Sequence, residues 1–454
     1  MTPSGRWSAS TPLSHPLGTF DGMRFLHTSD WHLGRQFHQT SLLDEQAEAI
    51  DRMVQIAAAE SVDAVLIAGD LFDRAIPSTG AVELLDEALV RLRDTGALVV
   101  AITGNHDSPT RVGFADRILT RAGVTVRSDP ARLAEPVLVA DHVSGSGGVG
   151  VAVYPIPYLD PSAVRAAGPE GGSGDDRTDP DATDPDATDP DATSAGPTGA
   201  SAVEPARSRR ITHESVLRDA LRLIDADRRT RDLPSVVVAH AFVANMAPRP
   251  GENPVEECDS ERVLAVGGTD RVDQGIFSDL DYVALGHLHG RQSWADGRIA
   301  YSGSPLAYSF SEQRHAKGVR IVELSHAGVV SGRHIDLGVG RGLCTITGTL
   351  DELLRLPEHA AAEPMRVRAV LSDVHLPSAA MARLRQRFPH AAEIVHEPPC
   401  RDGDASRNTS SHVRRRGPFD LTMEFLAEQW GDDVDDEAAT LLRRGVSAIV
   451  GSVP

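Results

Sequence analysis

The chain has 454 residues, 41% of them apolar, and a net charge of −20. That length calls for two or three cores rather than one, and no apolar run approaches the ~18 residues of a membrane span. The acidic balance argues against a protein that coats nucleic acid through charge alone.

Three cysteines, Cys258, Cys344 and Cys400, lack CxxC spacing. They are too few for a disulfide scaffold and point to the cytoplasm. Lys317 is the single lysine; every other basic residue is arginine, which reads first as coding bias. Residues 1–22 are polar, without the apolar stretch of a secretory signal, and are expected to be a disordered extension before Met23.

Arg24–His27 reads as a short first strand leading into Ser29-Asp30-Trp31-His32. In extended backbone Asp30 and His32, two apart, share one side. Ser41-x-x-Asp44 has the form of a capping box. The helix it opens is expected to bury Leu43, Ala47, Ile50, Val54 and Ala57. Ala64–Ala68 is a continuous apolar run that stops at Gly69-Asp70, with Asp73 just beyond. It reads as a strand buried on both faces, with Gly69 permitting a sharp exit. A carboxylate there is costly unless a cation, backbone donors or a metal ion meets it. For this Asp alone, a turn role and a ligand role weigh about equally.

A second helix from about Thr79 is expected to turn Val82, Leu85, Leu89 and Leu92 inward, with Gly96 as its C-cap. Leu98–Ile102 reads as the third strand and exits through Gly104-Asn105-His106-Asp107. Residues 179–193 repeat Asp-Pro-Asp-Ala-Thr three times inside a Gly/Ser/Asp/Pro-rich tract of about 161–208. No core can be built from that composition, so a disordered insertion is expected. The strand Val236–Ala239 ends at His240, and Tyr282–Leu285 ends at Gly286-His287-Leu288-His289. Gly318–Leu324 and His334–Leu337 read as closing strands. Strands alternating with helices imply βαβ units and largely parallel pairing, that is, an α/β fold. Ligands in such sheets sit outside the carboxyl ends of the strands.

Asp30, His32, Asp70, Asn105, His106, His240, His287 and His289 all fall at such ends. One histidine at a strand end is more often structural than a ligand. Five of the chain's 18 histidines at strand exits, interleaved with oxygen donors, reverse that weighting. Oxygen and imidazole without thiolate suit Mn²⁺, Fe or Zn²⁺ better than Ca²⁺. Eight groups exceed what one catalytic ion takes from protein, so two ions are expected, with Asp70 as the bridge. Two divalent ions against Asp30 and Asp70 leave an excess of about +2, which suits a phosphodiester held between two metals. No nucleophilic Ser or Cys motif and no Walker-type glycine loop competes.

These motifs, Asp30-x-His32, Gly69-Asp70-x-x-Asp73, Gly104-Asn105-His106-Asp107, His240 and Gly286-His287-x-His289, resemble the calcineurin-like metallophosphoesterase superfamily. HTSDWHLGR, AGDLFDRAIPS, TGNHDS, ALGHLHGRQ and YSGSPLAYSF are similar, within it, to bacterial nuclease subunits related to the double-strand-break repair nucleases. The resemblance covers about 23–325 apart from the insertion. It implies two β-sheets sandwiched between helices. Asp30, His32, Asp70 and His289 would hold one ion, and Asp70, Asn105, His240 and His287 the other, with Mn²⁺ the expected metal. It gives His106 a catalytic role at the phosphate or leaving group, and Asp73 a supporting one. It further implies exonuclease action on duplex DNA ends, endonuclease action on single strands and hairpins, and a coiled-coil ATPase partner within a heterotetramer.

The metallophosphoesterase domain is expected over 23–340 and a small α/β cap over 341–400. The cap's expected elements are strand Cys344–Leu350, a helix from Asp351, strand Arg366–Leu371, helix Ala379–Phe388 and strand Glu393–His396. A linker and partner-binding helices, about Asp420–Trp430 and Asp436–Val450, would fill 401–454. The competing reading is a small-molecule phosphodiesterase or protein phosphatase of the same superfamily. It is weakened because Gly69-Asp70-Leu71-Phe72-Asp73 lacks the Arg-Gly pair that follows in phosphatases. A catalytically silent assembly module is disfavoured by the complete donor set.

Overall fold

The computed structural model describes residues 22–140, 149–162, 211–244, 271–325, 328–399 and 440–442. The expected N-terminal extension, nearly all of the acidic insertion, and both C-terminal helices but for three residues lie outside the described residues. The chain divides into two compact units, Met1–Thr345 with Pro364–Arg368, and Ile346–Glu363 with Ala369–Pro454.

The strands of the two large sheets, in chain order, are β1 (Met23–Thr28), β2 (Ala64–Ala68), β3 (Leu98–Ile102), β4 (Val124–Arg127), β5 (Val137–Ala140), β6 (Val149–Pro155), β7 (Ser235–His240), β8 (Tyr282–Gly286), β9 (Gln292–Trp294), β10 (Ile299–Tyr301), β11 (Gly318–Ser325) and β12 (Gly328–Asp336). They form two six-stranded sheets, ordered β12-β11-β1-β2-β3-β4 and β9-β10-β8-β7-β6-β5. The five strands whose exits carry the expected donors are divided between the sheets, β1 to β3 in the first and β7 with β8 in the second.

Alternation along the central strands explains why β2, β3, β7 and β8 read as apolar runs. Phe25, Leu66, Ala68, Val100 and Ile102 of the first sheet meet Val153, Val236, Val238, Tyr282 and Ala284 of the second in one core. The residues between them face outward. Val237, Ala239, Val283 and Leu285 pack under the helix His213–Arg228 through Val216, Leu217, Ala220, Leu221 and Ile224. A sheet covered on both faces favours apolar residues at alternate positions too. Each fully buried Val or Leu contributes ~1.5–3 kcal/mol.

Both expected helices form, each turned from its expected face. The first, Leu43–Glu60, has Leu42 as N-cap, and the Ser41 hydroxyl accepts from the Leu43 N–H instead of closing a capping box. Its buried stripe is Gln46, Ala49, Ile50, Met53, Ile56 and Ala57. The second, Thr79–Asp94, is capped by Ser78 and buries Ala81, Leu84, Leu85, Ala88 and Leu92, which leaves Val82 exposed. In both, small alanines belong to the buried stripe, a signal that a count of large residues passes over. The last closing strand starts six residues before His334, pairing Ser325 with Gly328 and Gly318 with Asp336. Its Gly and Ser residues and a bulge at Glu323/Leu324 break the period-2 pattern.

Leu343–Gly348, Arg366–Leu371 and Ala391–His396 form a three-stranded sheet in that order, and the division into units cuts through the first two of these strands. Leu350–Arg355 opens with a formed capping box between Thr349 and Glu352. Arg387 closes the helix Ala380–Arg387 onto the peptide oxygens of Leu353 and Leu356 at 2.9 and 2.8 Å. Among the described residues, no helix is long and apolar enough to cross a membrane.

Candidate metal centre

The expected donors come together where strands of both sheets end. Past β1 and β2 the two chains keep running side by side. Asp30 N–H donates to the Gly69 oxygen (3.1 Å), His32 N–H to the Asp70 oxygen (2.9 Å) and Leu33 N–H to the Leu71 oxygen (2.9 Å). Across the sandwich, Gly286 pairs with His240 in the β7–β8 ladder. A Cβ on Gly286 would stand 1.8 Å from the Ala68 oxygen, and one on Gly104 would stand 2.1 Å from Asp70 Oδ1. The second sheet approaches the first this closely because Gly286 lacks a side chain, and the β3 exit approaches the β2 exit because Gly104 does.

Asp30, His32, Asp70 and His240 are each at most 3% exposed, and His289 is 2%. Asp30, His32, Asp70 and His287 have φ of 53°, 44°, 49° and 107°. Left-handed backbone at non-glycine residues costs ~1–3 kcal/mol each and persists where the surroundings over-determine it.

Donor atoms converge in three groups, each with its atoms within 4.8 Å of one another: Asp30, His32 and His289; Asp30, Asp70 and His240; His32, Asp73 and His106. Asp70 Oδ2 lies between two imidazoles, 3.6 Å from His32 Nε2 and 3.4 Å from His240 Nε2. Asn105 Oδ1 faces His240 Nε2 at 2.9 Å and His287 Nδ1 at 3.4 Å. His287 is outside all three groups, and its N–H donates to Asp30.

His106 stands beside the centre. Its N–H donates to Asp70 Oδ1 (2.9 Å) and its Nδ1 to the Asp73 oxygen (2.9 Å), which leaves Nε2 for another partner. Asp73 also pairs with Arg35 at 3.0 Å.

The lone pairs show what these residues fit. His240 Nδ1 donates to the Ala68 oxygen (2.9 Å), so in the neutral ring Nε2 is bare. It nevertheless faces the oxygens of Asn105 and Asp70. His32 Nε2 and His289 Nε2 face each other at 3.2 Å, and buried His32 Nδ1 has no hydrogen-bond partner. Bare nitrogens and carboxylate oxygens aimed at one volume need a proton or a cation between them. The donor set therefore fits divalent metal ions.

The charges follow. Burial would lower His240, but Asp70 and Asp30 raise it to about 9. Burial would raise Asp70, but His240 and then His32 hold it well below the carboxylate range. Burial pushes Asp30 up, His32 well below its ordinary value and His287 down to about 3.

Two residues without an assigned role in the sequence reading organise these loops. Buried Asp107 accepts from Leu71 N–H (3.0 Å), Phe72 N–H (2.9 Å) and Gly104 N–H (2.9 Å), tying the β2 exit to the β3 exit. Burial, then Asp70, pushes it up to about 7. Gln46 donates to the Trp31 and His32 oxygens (3.1 and 2.7 Å) and accepts from Gly34 N–H (3.0 Å).

The family model of the calcineurin-like phosphoesterases matches residues 23–148. Among solved structures, the chain is similar to TT1561 of Thermus thermophilus (11% identity, TM-score 0.35, 70% of this chain and 99% of that one). It is also similar to GAP50, the anchor in the inner membrane complex of Plasmodium (14%, 0.37, 70% and 85%). A third is a dimetal phosphatase from Danio rerio (13%, 0.34, 70% and 100%). The stretch that matches the calcineurin-like phosphoesterase model carries the exits of β1, β2 and β3, with Asp30, His32, Asp70, Asn105 and His106.

Proposed function

We propose that the chain is a metal-dependent DNA nuclease subunit of the SbcD type, cutting duplex ends and single-stranded or hairpin DNA with an SbcC-like coiled-coil ATPase. The observation that carries the phosphodiesterase part is the convergence of Asp30, His32, Asp70, His240 and His289 donor atoms beside His106. Asp30, His32, Asp70 and His289 would hold one ion, and Asp70, Asn105, His240 and His287 the other. When bound, two such ions hold the phosphate, lower the pKa of a water and stabilise the leaving oxygen.

The chain's own residues do the rest. His106 is fixed by Asp73 at Nδ1, so its Nε2, when protonated, donates to the phosphate or the departing oxygen. Asp107 and Gln46 keep the loops in register, so the donors need no reorganisation when substrate arrives.

Substrate and partner are read from the motifs of the sequence. The ion is taken as Mn²⁺, the assembly as two copies of this chain with two ATPase chains, and the place of action as the cytoplasm, at the nucleoid. The test is hydrolysis with Mn²⁺ of linear duplex DNA beside cyclic nucleotides and phosphopeptides. Cleavage of phosphopeptides with DNA left intact would replace the nuclease reading by the phosphatase one. For the partner, truncation after Arg416 is expected to abolish co-purification with an SbcC-like ATPase and to spare cleavage of a small phosphodiester. Retained association would put the docking face elsewhere.

A further inference from the structure

Arginine fills every basic position but one. The exception, Lys317, sits behind the metal centre, its side chain 10% exposed. Its Nζ donates to the His289 peptide oxygen (2.8 Å), Ser304 Oγ (2.9 Å) and Glu312 Oε2 (2.6 Å). An ammonium has three N–H donors around one nitrogen, and three acceptors meet it here. A planar guanidinium cannot direct its donors this way.

Glu312, 1% exposed, uses its other oxygen on the Tyr308 N–H (3.2 Å), the Ser309 hydroxyl (3.0 Å) and His289 Nδ1 (3.5 Å). His289 is therefore held at both ends, its peptide oxygen by Lys317 and its ring by Glu312. With Nδ1–H donated to Glu312, the Nε2 lone pair faces His32 and Asp30, in the centre. A buried ion pair stabilises a fold little or not at all on balance, so stability alone does not account for this one.

We propose that Lys317 and Glu312 form a positioning couple that fixes the tautomer and orientation of His289 towards the cation. The proposal rests on the metal-centre reading for its purpose, but the orientation itself can be observed without metal. The experiment compares the full chain with Lys317→Arg, Lys317→Met, Glu312→Gln and Glu312→Leu. Three readouts are taken: Mn²⁺ affinity by calorimetry, ¹⁵N spectra of His289 in chelator, and amine labelling of the single lysine.

Lys317→Arg, Lys317→Met and Glu312→Leu are expected to lose roughly 10- to 100-fold in Mn²⁺ affinity, the usual effect of a ligand's outer partner. Glu312→Gln, which keeps an acceptor for Nδ1–H, should lose less. The His289 spectrum should show Nδ1–H in wild type and a tautomer mixture in Glu312→Leu. Lys317 should resist labelling until Glu312 is changed. Wild-type affinity in Lys317→Arg, or a His289 tautomer unchanged in Glu312→Leu, overturns the couple. Should Glu312→Leu not fold, Glu312→Gln and Lys317→Arg decide. If wild type itself binds no Mn²⁺, the metal-centre reading fails, and the chelator spectra still decide whether the couple orients His289.

Discussion

Asp107 offers the sharpest quantitative test of how the centre is built. Asp107→Ala removes the acceptor of three buried amides at once, those of Leu71, Phe72 and Gly104. A buried donor left without a partner costs ~1–3 kcal/mol, so the low end for three is ~3 kcal/mol. Two effects work against this. Water can enter the space left and satisfy an amide. The ionised carboxyl is also already disfavoured, with a pKa pushed up to about 7 by burial and by Asp70. The net expectation is a local loss of ~2–3 kcal/mol, less for Asp107→Asn, which keeps one acceptor oxygen. The assay is amide hydrogen exchange in chelator, so that lost metal binding does not add to the effect. Protection at Leu71, Phe72 and Gly104 should fall roughly 30- to 150-fold, while the β8 amides stay protected. Unchanged protection at all three amides would show that the carboxylate does not hold the loops.

Three further outcomes are expected. Asp70→Ala should lose bound metal by elemental analysis, whereas His106→Ala should retain it and lose ~10²–10⁴-fold in cleavage rate; a metal-depleted His106→Ala would make His106 a ligand. Gly286→Ala should melt well below wild type in chelator, since its methyl would meet the Ala68 oxygen at 1.8 Å and overpacking costs ~1–3 kcal/mol or more; an unchanged melting temperature would refute the close approach of the sheets. Burial would raise the Glu45 carboxyl, but its bonds from Arg366 hold it below its ordinary value. A carboxyl lower in the folded state stabilises above its unfolded pKa of ~4.3 and loses that contribution as pH falls through the folded value. The melting-temperature gap between wild type and Glu45→Gln should therefore narrow as pH falls below ~4.3, and a constant gap would refute this.

What the sequence disclosed is what a short window contains. Leu98–Ile102 is bounded as read, and Val236–Ala239 and Tyr282–Leu285 differ from their strands by a residue or two, because a strand covered on both faces is a solid apolar block. The site motifs were legible because a polar residue straight after such a block is costly without a purpose. Which strands share a sheet was not, since pairing joins residues far apart, as with Phe25 and Val322. Short strands such as Val124–Arg127 carry too few residues for a period to register. Gln46 and Asp107 matter through peptide groups on other loops, and Glu312 through the ring of His289, 23 residues away; their own neighbours give no sign of it.

The spread of the centre over the chain sets when it can form. Asp30 and His289 lie on different sheets, with most of the domain's length between them, and the left-handed turns at Asp30 and Asp70 gain their bonds only once β1 and β2 are paired. Closing such long loops comes late, after each sheet has its own local contacts. Interactions absent from the transition state change the unfolding rate and leave the folding rate nearly untouched. Bound metal should therefore act as a latch on the finished domain: chelation speeds unfolding, and refolding proceeds at the same rate with or without the ion.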